Sequence, residues 1–138
     1  MALDPQYTTT PNISGSTLTA VNNIYDGASG TIGTCFTAGA SGSFLSFVKL
    51  KPNNTTANTA ASVARFWINN GSATTTAANN FFFGEISLPT TQAVTNAAQA
   101  DLAMPFNIAL PAGYKIIWAL AAAPLGGGWA ATGVGGDY

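Results

Sequence analysis

The carboxylates and the single thiol are the side chains of this sequence with the greatest capacity for chemistry. The chain of 138 residues contains five acidic residues, one cysteine and no histidine. The acids are Asp4, Asp26, Glu85, Asp101 and Asp137. Glycoside hydrolysis needs two carboxyl groups facing one site, one of them with a raised pKa. No two of these acids have a spacing that indicates a shared site.

Nucleophilic catalysis and metal binding are disfavoured by the same set of residues. A serine or cysteine nucleophile needs a neighbouring base, and the sequence has neither a histidine nor a Gly-x-Ser-x-Gly turn. We therefore expect Cys35 to pack as a small apolar side chain. The sequence also has no cluster of histidines or cysteines and no Asp-x-Asp-x-Asp calcium loop. The prediction is a protein that is not an enzyme and binds no metal or cofactor.

The composition predicts a polar surface that is nearly uncharged. Charged residues make up 7% of the chain and the formal net charge is -1, whereas an average protein has about 25% charged residues. Four cations are too few for the basic patch of a nucleic-acid-binding protein, and no apolar run reaches the ~20 residues of a membrane helix. So little charge causes little repulsion between copies. This is equally typical of a subunit in a packed assembly and of a neutral extracellular protein.

Short alternating segments separated by turn residues predict an all-β protein. The eight predicted strands are 17–25, 31–38, 43–51, 62–70, 81–89, 102–110, 114–120 and 128–138. Strands at this spacing indicate a single antiparallel β-sandwich of jelly-roll or immunoglobulin-like type. Pro105 cannot donate to a ladder and indicates a sheet edge or a bulge. Residues 1–16 show no period, so we predict an extended N-terminal arm there and the sandwich domain in residues 17–138.

The predicted strand at residues 62–70 separates apolar side chains from charged and aromatic ones. Phe66 and Ile68 share one face, while Arg65 and Trp67 share the other. We expect the first face to lie in the core, which leaves Trp67 either exposed or buried against another subunit. If this strand pairs with the next one, Arg65 and Glu85 form a cross-strand ion pair.

The aromatic residues allow a second interpretation, a stacking platform for sugars. The candidates are Trp67, Trp118, Trp129, Tyr114 and Tyr138. Trp118 shares its face with Ile116 and Leu120, so we expect it in the core. Trp67 is therefore the tryptophan that we predict to carry a glycan in that interpretation. The final strand is expected to pack on its own sandwich, with Tyr138 as an amphipathic contact at its tip.

Three segments carry a resemblance to a known family when they are taken in order. They read SVARFWINNGSATTTAANNFFFGEISLP, PFNIALPAGYKIIWAL and GWAATGVGGDY. Together they resemble a family of small virion proteins of tailed bacteriophages, over roughly residues 30 to 138. The N-terminal part departs from that pattern. The resemblance implies a phage structural protein that is made in the cytoplasm of a bacterial host.

The resemblance, together with the size, the β content and the neutral surface, favours a capsid decoration protein. Such a protein binds the major capsid protein on the outer surface of the virion and forms a homo-oligomer, with a trimer favoured. The residues expected to make these contacts are Tyr7 and Pro11 in the arm, Trp67, and Tyr138. The alternatives are a tail, neck or fibre component of the phage, or a carbohydrate-binding module for host attachment.

Overall fold

A computed structural model describes residues 7–53, 58–93, 97–124 and 127–138. Its regular structure consists of eight β-strands and one turn of 3₁₀-helix at Ala77–Asn79. The strands are β1 Thr10–Leu18, β2 Gly33–Thr37, β3 Ser43–Pro52, β4 Ser62–Asn69, β5 Asn80–Leu88, β6 Leu102–Leu110, β7 Lys115–Leu120 and β8 Trp129–Asp137. The all-β prediction is confirmed.

The strands form two antiparallel sheets of four, with the orders β1-β8-β3-β6 and β2-β7-β4-β5. Each strand of the first half of the chain pairs with one of the second half, in the nested pairs β1–β8, β2–β7, β3–β6 and β4–β5. Except between β4 and β5, each strand is followed by one in the opposite sheet. This winding is that of an eight-stranded jelly roll, so of the two predicted topologies the jelly roll is the one adopted.

The core lies between the sheets and contains the faces that alternation predicted. Phe66 of β4 and Trp118 of β7 are fully buried there, with stacked rings whose centroids are 6.4 Å apart. Cys35 is fully buried in the same core, as expected of a small apolar side chain. On β8, glycine is required at position 133, because a Cβ there would come within 2.8 Å of Phe36 on the opposite sheet. The core is thus built by period-two alternation on facing strands.

The N-terminal boundary of the sandwich differs from the prediction. Residues 10–16, which the sequence assigned to the arm, belong to β1 and pair with β8. Apart from Leu18 at its end, the positions of β1 that face the other sheet are polar, and they form hydrogen bonds. Ser14 donates to the carbonyl of Cys35, and Ser16 accepts from the indole N–H of Trp118 at 2.9 Å. This strand therefore joins the sheet without apolar alternation. Residues 1–6 of the predicted arm lie outside the described residues.

The prediction of a first strand at residues 17–25 is wrong beyond Leu18. Residues 19–32 form an ordered connection over the outer face of β4 and β7. Buried Asn22 stabilises it, because its side-chain amide donates to the carbonyls of Ser29 and Thr31 and its side-chain oxygen accepts from the N–H of Ile24. Asparagine side chains that bond the backbone in this way compete with strand pairing.

The expectation for Pro105 is confirmed. It lies in β6, an edge strand, and the register of β6 with β3 shifts beside it, between Leu45 and Phe47. Asn107 adopts a positive φ of 50° in the same stretch. A proline and a bulge at a sheet edge hinder the addition of another strand.

Candidate functional site

The most prominent surface feature is a run of three exposed phenylalanines on an edge strand, Phe81, Phe82 and Phe83 of β5. We call these three residues the aromatic edge. Their exposed fractions are 57%, 48% and 38%, and β5 has β4 on one side only among the described strands. Soluble domains generally protect such edges with charges, prolines or short strands, so an exposed aromatic run indicates an interaction surface.

The local register explains why all three rings reach solvent. Phe82 lies opposite Trp67 on the outer face of the sheet, and Phe81 lies opposite Ile68. The register shifts between Phe66 and Trp67, which leaves Phe83 as the additional residue of a bulge. Its ring stacks on Phe106 of β6 with a centroid separation of 4.6 Å. The aromatic edge thus covers the outer face, the rim and the opening between the two sheets.

A charged pair lies beside the aromatic edge. Arg65 and Glu85 are direct cross-strand partners, as predicted, and the guanidinium Nε lies 3.3 Å from the carboxylate Oε2. The guanidinium carbon of Arg65 is 3.7 Å from the ring centroid of Tyr25, whose hydroxyl donates to Glu85 at 3.2 Å. Tyr25 in turn meets Phe82 edge-on, with centroids 5.6 Å apart. The charges of Arg65 and Glu85 therefore cancel each other. Tyr25, which contacts both of them, extends the exposed aromatic surface.

Within this cluster, Arg65 is held tightly on the sheet face. Its side chain is 11% exposed, against 45% for Glu85, and its Nη1 atom is buried with no hydrogen-bond partner among the described residues. The cation–π contact with Tyr25 stabilises a guanidinium that is only partly hydrogen-bonded. The arrangement orients Tyr25 and leaves about half of that residue exposed.

Trp67 is not the exposed or subunit-bound residue that the sequence predicted. It is 1% exposed and packs with Ile117, Ala119 and Ile32 in a small second core on the outer face of the sheet. Its indole N–H donates to the carbonyl of Tyr25 at 3.3 Å. The connection at residues 19–32 covers the indole from within the same chain, so Trp67 has no surface to offer a sugar ring.

The other predicted contact residues lie in the other sheet or beside it. Tyr7 is 78% exposed and precedes β1, while Pro11 is exposed and lies opposite Gly136. Tyr138 is half-buried, and its backbone N–H donates to the carbonyl of Gly42 at 3.2 Å. Pro11 and Tyr138 thus share one end of a sheet that does not contain Trp67. The expectation that the last strand packs on its own sandwich is confirmed, since β8 pairs with β1 and β3.

Asp137 has a structural role at this end of the sandwich. Its carboxylate accepts hydrogen bonds from the hydroxyl of Ser43 and, at 2.8 Å, from the amide of Asn12. The Ser43 hydrogen bond, followed by that of Asn12, lowers the pKa of Asp137. The side chain joins β1 and β3 to the end of β8, which is sufficient to explain an acid at this position.

The other groups considered for chemistry are separated or inert. Burial raises the pKa of the Cys35 thiol far above its usual range, so this thiol stays protonated at neutral pH. The Asp26 carboxylate accepts hydrogen bonds from the hydroxyl and the N–H of Ser29 and from the N–H of Ala28, which lower its pKa. Among the residues described, no three histidine, cysteine or acidic side chains lie close enough to hold a metal ion. The same part of the chain contains no helix with the length and apolar character needed to cross a membrane.

The sequence analysis predicted the strand at residues 81–89 but did not recognise the aromatic edge as a site. The run of three phenylalanines in the sequence could have indicated it. Side chains alternate between the two faces of a strand, so three consecutive aromatics cannot all point into one core. No family model, curated protein or solved structure matches this chain.

Proposed function

We propose that this chain is a non-enzymatic structural protein of a bacteriophage particle, which binds the outer surface of the capsid and stabilises the shell. The observation that carries the proposal is the aromatic edge. Interfaces between proteins are enriched in aromatic residues and depleted of lysine and acidic residues. The aromatic edge contains no charged residue, and the adjacent Arg65 and Glu85 neutralise each other.

The size of this surface suits a protein partner. With Tyr25, the aromatic edge exposes the equivalent of about two whole aromatic side chains, or about 400 Å² of apolar area. The largest apolar patch of an ordinary monomer is about 300–600 Å² and is often functional. The jelly-roll winding adds support, because this architecture occurs in viral capsid domains as well as in lectins. The resemblance of the three sequence segments to phage virion proteins favours the first of these classes.

The proposed mechanism is stabilisation by mass action. A protein that binds the assembled shell and not the separated subunits shifts the equilibrium towards the shell. Its partner in this role is the major capsid protein. No bond is made or broken in this role.

The test begins with the number of copies of this protein per particle, measured by quantitative mass spectrometry of purified virions. Hundreds of copies support a capsid location. A dozen or fewer would place the protein in the neck, tail or fibre, and its absence from purified particles would overturn the virion proposal altogether.

A second measurement tests the surface that carries the proposal. Particles that lack the protein are expected to release their DNA at a lower temperature, and adding the purified protein should restore the release temperature. The Phe81→Ser variant should restore it less well. The matched control is Ile13→Ser, which changes an exposed apolar residue on an edge strand of the other sheet. Equal restoration by both variants would show that stabilisation of the shell does not depend on the aromatic edge.

A further inference from the structure

We infer that β5 pairs with β5 of a second copy of this chain, antiparallel, around a two-fold axis that passes through Phe82. The inference rests on the proposed function and deepens it, because it assigns the aromatic edge to contacts between copies of this chain on the shell, and so leaves other parts of the surface for the capsid protein. It replaces the expected trimer contact with a two-fold one, since an edge strand that pairs with itself does so about a two-fold axis.

The backbone of β5 offers hydrogen bonds at this position. The N–H of Asn70 donates to the carbonyl of Asn79 at 3.0 Å, at the start of the β4–β5 ladder. Bonded and non-bonded pairs alternate along an antiparallel ladder. The peptide groups of Phe81 therefore point towards β4, and those of Phe82 point away from the sheet. A second strand that approaches this edge meets the N–H and the C=O of Phe82.

The register centred on Phe82 matches aromatic residues with aromatic residues. Phe82 then lies opposite its own copy, and Phe81 lies opposite Phe83. Cross-strand aromatic pairs stabilise antiparallel strand pairing more than alanine pairs do. The bulge at Phe83 bends β5 and confines the pairing to residues 80–84, the aromatic edge and the residue on either side of it.

Two of the other sheet edges contain a proline and the third is short, whereas β5 has nine residues and no proline. The bulge at Phe83 is the one protective feature that β5 shares with them. β1 contains Pro11, β6 contains Pro105 beside a bulge, and β2 is only five residues long with a register shift of its own. Proline, shortness and bulges are the usual protections of an edge. The one charge on β5, Glu85, is held by Arg65, so two copies would not repel each other.

The available area fits a dimer of modest affinity. A standard interface buries about 800 Å² from each partner, and the aromatic edge with Tyr25 supplies about half of that as apolar surface. Val21 and Ile24, which are also exposed, belong to the same connection as Tyr25. We expect dimer formation in the micromolar range, the weak end for an interface of this size.

The inference is tested by cross-linking at the axis. In the Phe82→Cys variant, two-fold pairing places the Cα atoms of the two new cysteines about 5.5 Å apart. This separation is within the range that a disulfide spans. Oxidised glutathione should therefore yield a covalent dimer. The control is Ser87→Cys, an exposed position on the same strand that has no copy of itself opposite in this register. The native Cys35 is fully buried and should not react.

Light scattering of the unmodified protein gives a second test, independent of any effect of the cysteine on folding. We expect the mass to rise from one chain to two between about 1 and about 100 μM, and to stay at one chain in Phe81→Ser. A monomer throughout, equal cross-linking of Ser87→Cys, or a trimer without the Phe82 cross-link would overturn the inference. If the protein is a monomer in solution and is present at hundreds of copies in virions, the proposed function stands and the β5–β5 pairing is overturned. If the protein is a dimer but is absent from virions, the proposed function is overturned and the β5–β5 pairing stands.

Discussion

Replacing Trp67 with alanine is expected to destabilise the fold strongly. Trp67 is 1% exposed, and its indole contacts Ile117, Ala119 and Ile32 and donates to the carbonyl of Tyr25. Truncation of a buried tryptophan costs about 3–5 kcal/mol, because apolar burial is lost and a cavity is left. Such a loss is a large part of the roughly 5–15 kcal/mol that stabilises an ordinary domain.

Urea unfolding, followed by tryptophan fluorescence at one fixed protein concentration, measures this loss. With an m-value of about 2 kcal/mol/M, the midpoint should fall by about 2 M. The control is Tyr7→Ala, which removes an aromatic side chain that is 78% exposed and should change the free energy of unfolding by less than about 0.5 kcal/mol. If Trp67→Ala left the midpoint unchanged, the covering of Trp67 by residues 19–32 would be refuted, and its predicted role as an exposed contact would return.

Three further changes test other contacts. Asp137→Asn should cost about 1–2 kcal/mol at pH 7 by weakening the bond from Ser43. Because the pKa of Asp137 is lowered on folding, the stabilisation is present above the ordinary aspartate pKa of about 3.9 and is lost as the pH falls through the folded value. Urea midpoints of both proteins should therefore converge in acid; a constant difference would contradict this. Gly27→Ala should cost at least about 1 kcal/mol because its φ is +65°, and its Cβ would lie 2.8 Å from Trp67; an unchanged thermal midpoint would argue against the contact. Glu85→Gln should cost no more than about 1 kcal/mol, because the ion pair is partly exposed; a loss of several kcal/mol by urea unfolding would show a larger structural role.

Seven of the eight strands could be predicted because their inward positions are apolar. The alternation in β6, from Leu102 to Leu110, corresponds directly to the core face of that strand. The turn residues between strands then limited the possible boundaries. The pairing of Arg65 with Glu85 followed from the same alternation once β4 and β5 were neighbours in the sheet.

The strand β1 could not be predicted in this way, because its inward side chains are polar. Asn12, Ser14 and Ser16 lie on the side of β1 that faces the other sheet, Ser14 at an exposed position, and bond to groups of β2, β8 or β7. A strand of this kind has no hydrophobic period. The segment after it, which contains Val21 and Ile24, carries apolar residues without being a strand, and this reversal explains why the predicted first strand was displaced towards the C-terminus.

The environment of Trp67 shows a different limit of sequence reasoning. Alternation placed the residue on the correct face of β4, opposite Phe66. Whether that face is exposed depends on a connection some forty residues earlier in the chain, and no local pattern records that contact. The phenylalanines of β5 differ in that no segment of the described chain covers them completely, so each stays at least 38% exposed.

The distribution of charge supports the interpretation that the aromatic edge is the interacting part of the molecule. Lys49 and Lys51 both approach Asp101 on the outer face of the opposite sheet, at 3.1 and 3.9 Å, which leaves a net positive charge there. Beside the aromatic edge, Arg65 and Glu85 cancel. A low overall charge alone is as typical of a neutral extracellular protein as of an assembly subunit. Neutral and aromatic surface combined at one proline-free sheet edge favours the assembly subunit, because it lowers the cost of removing that edge from water.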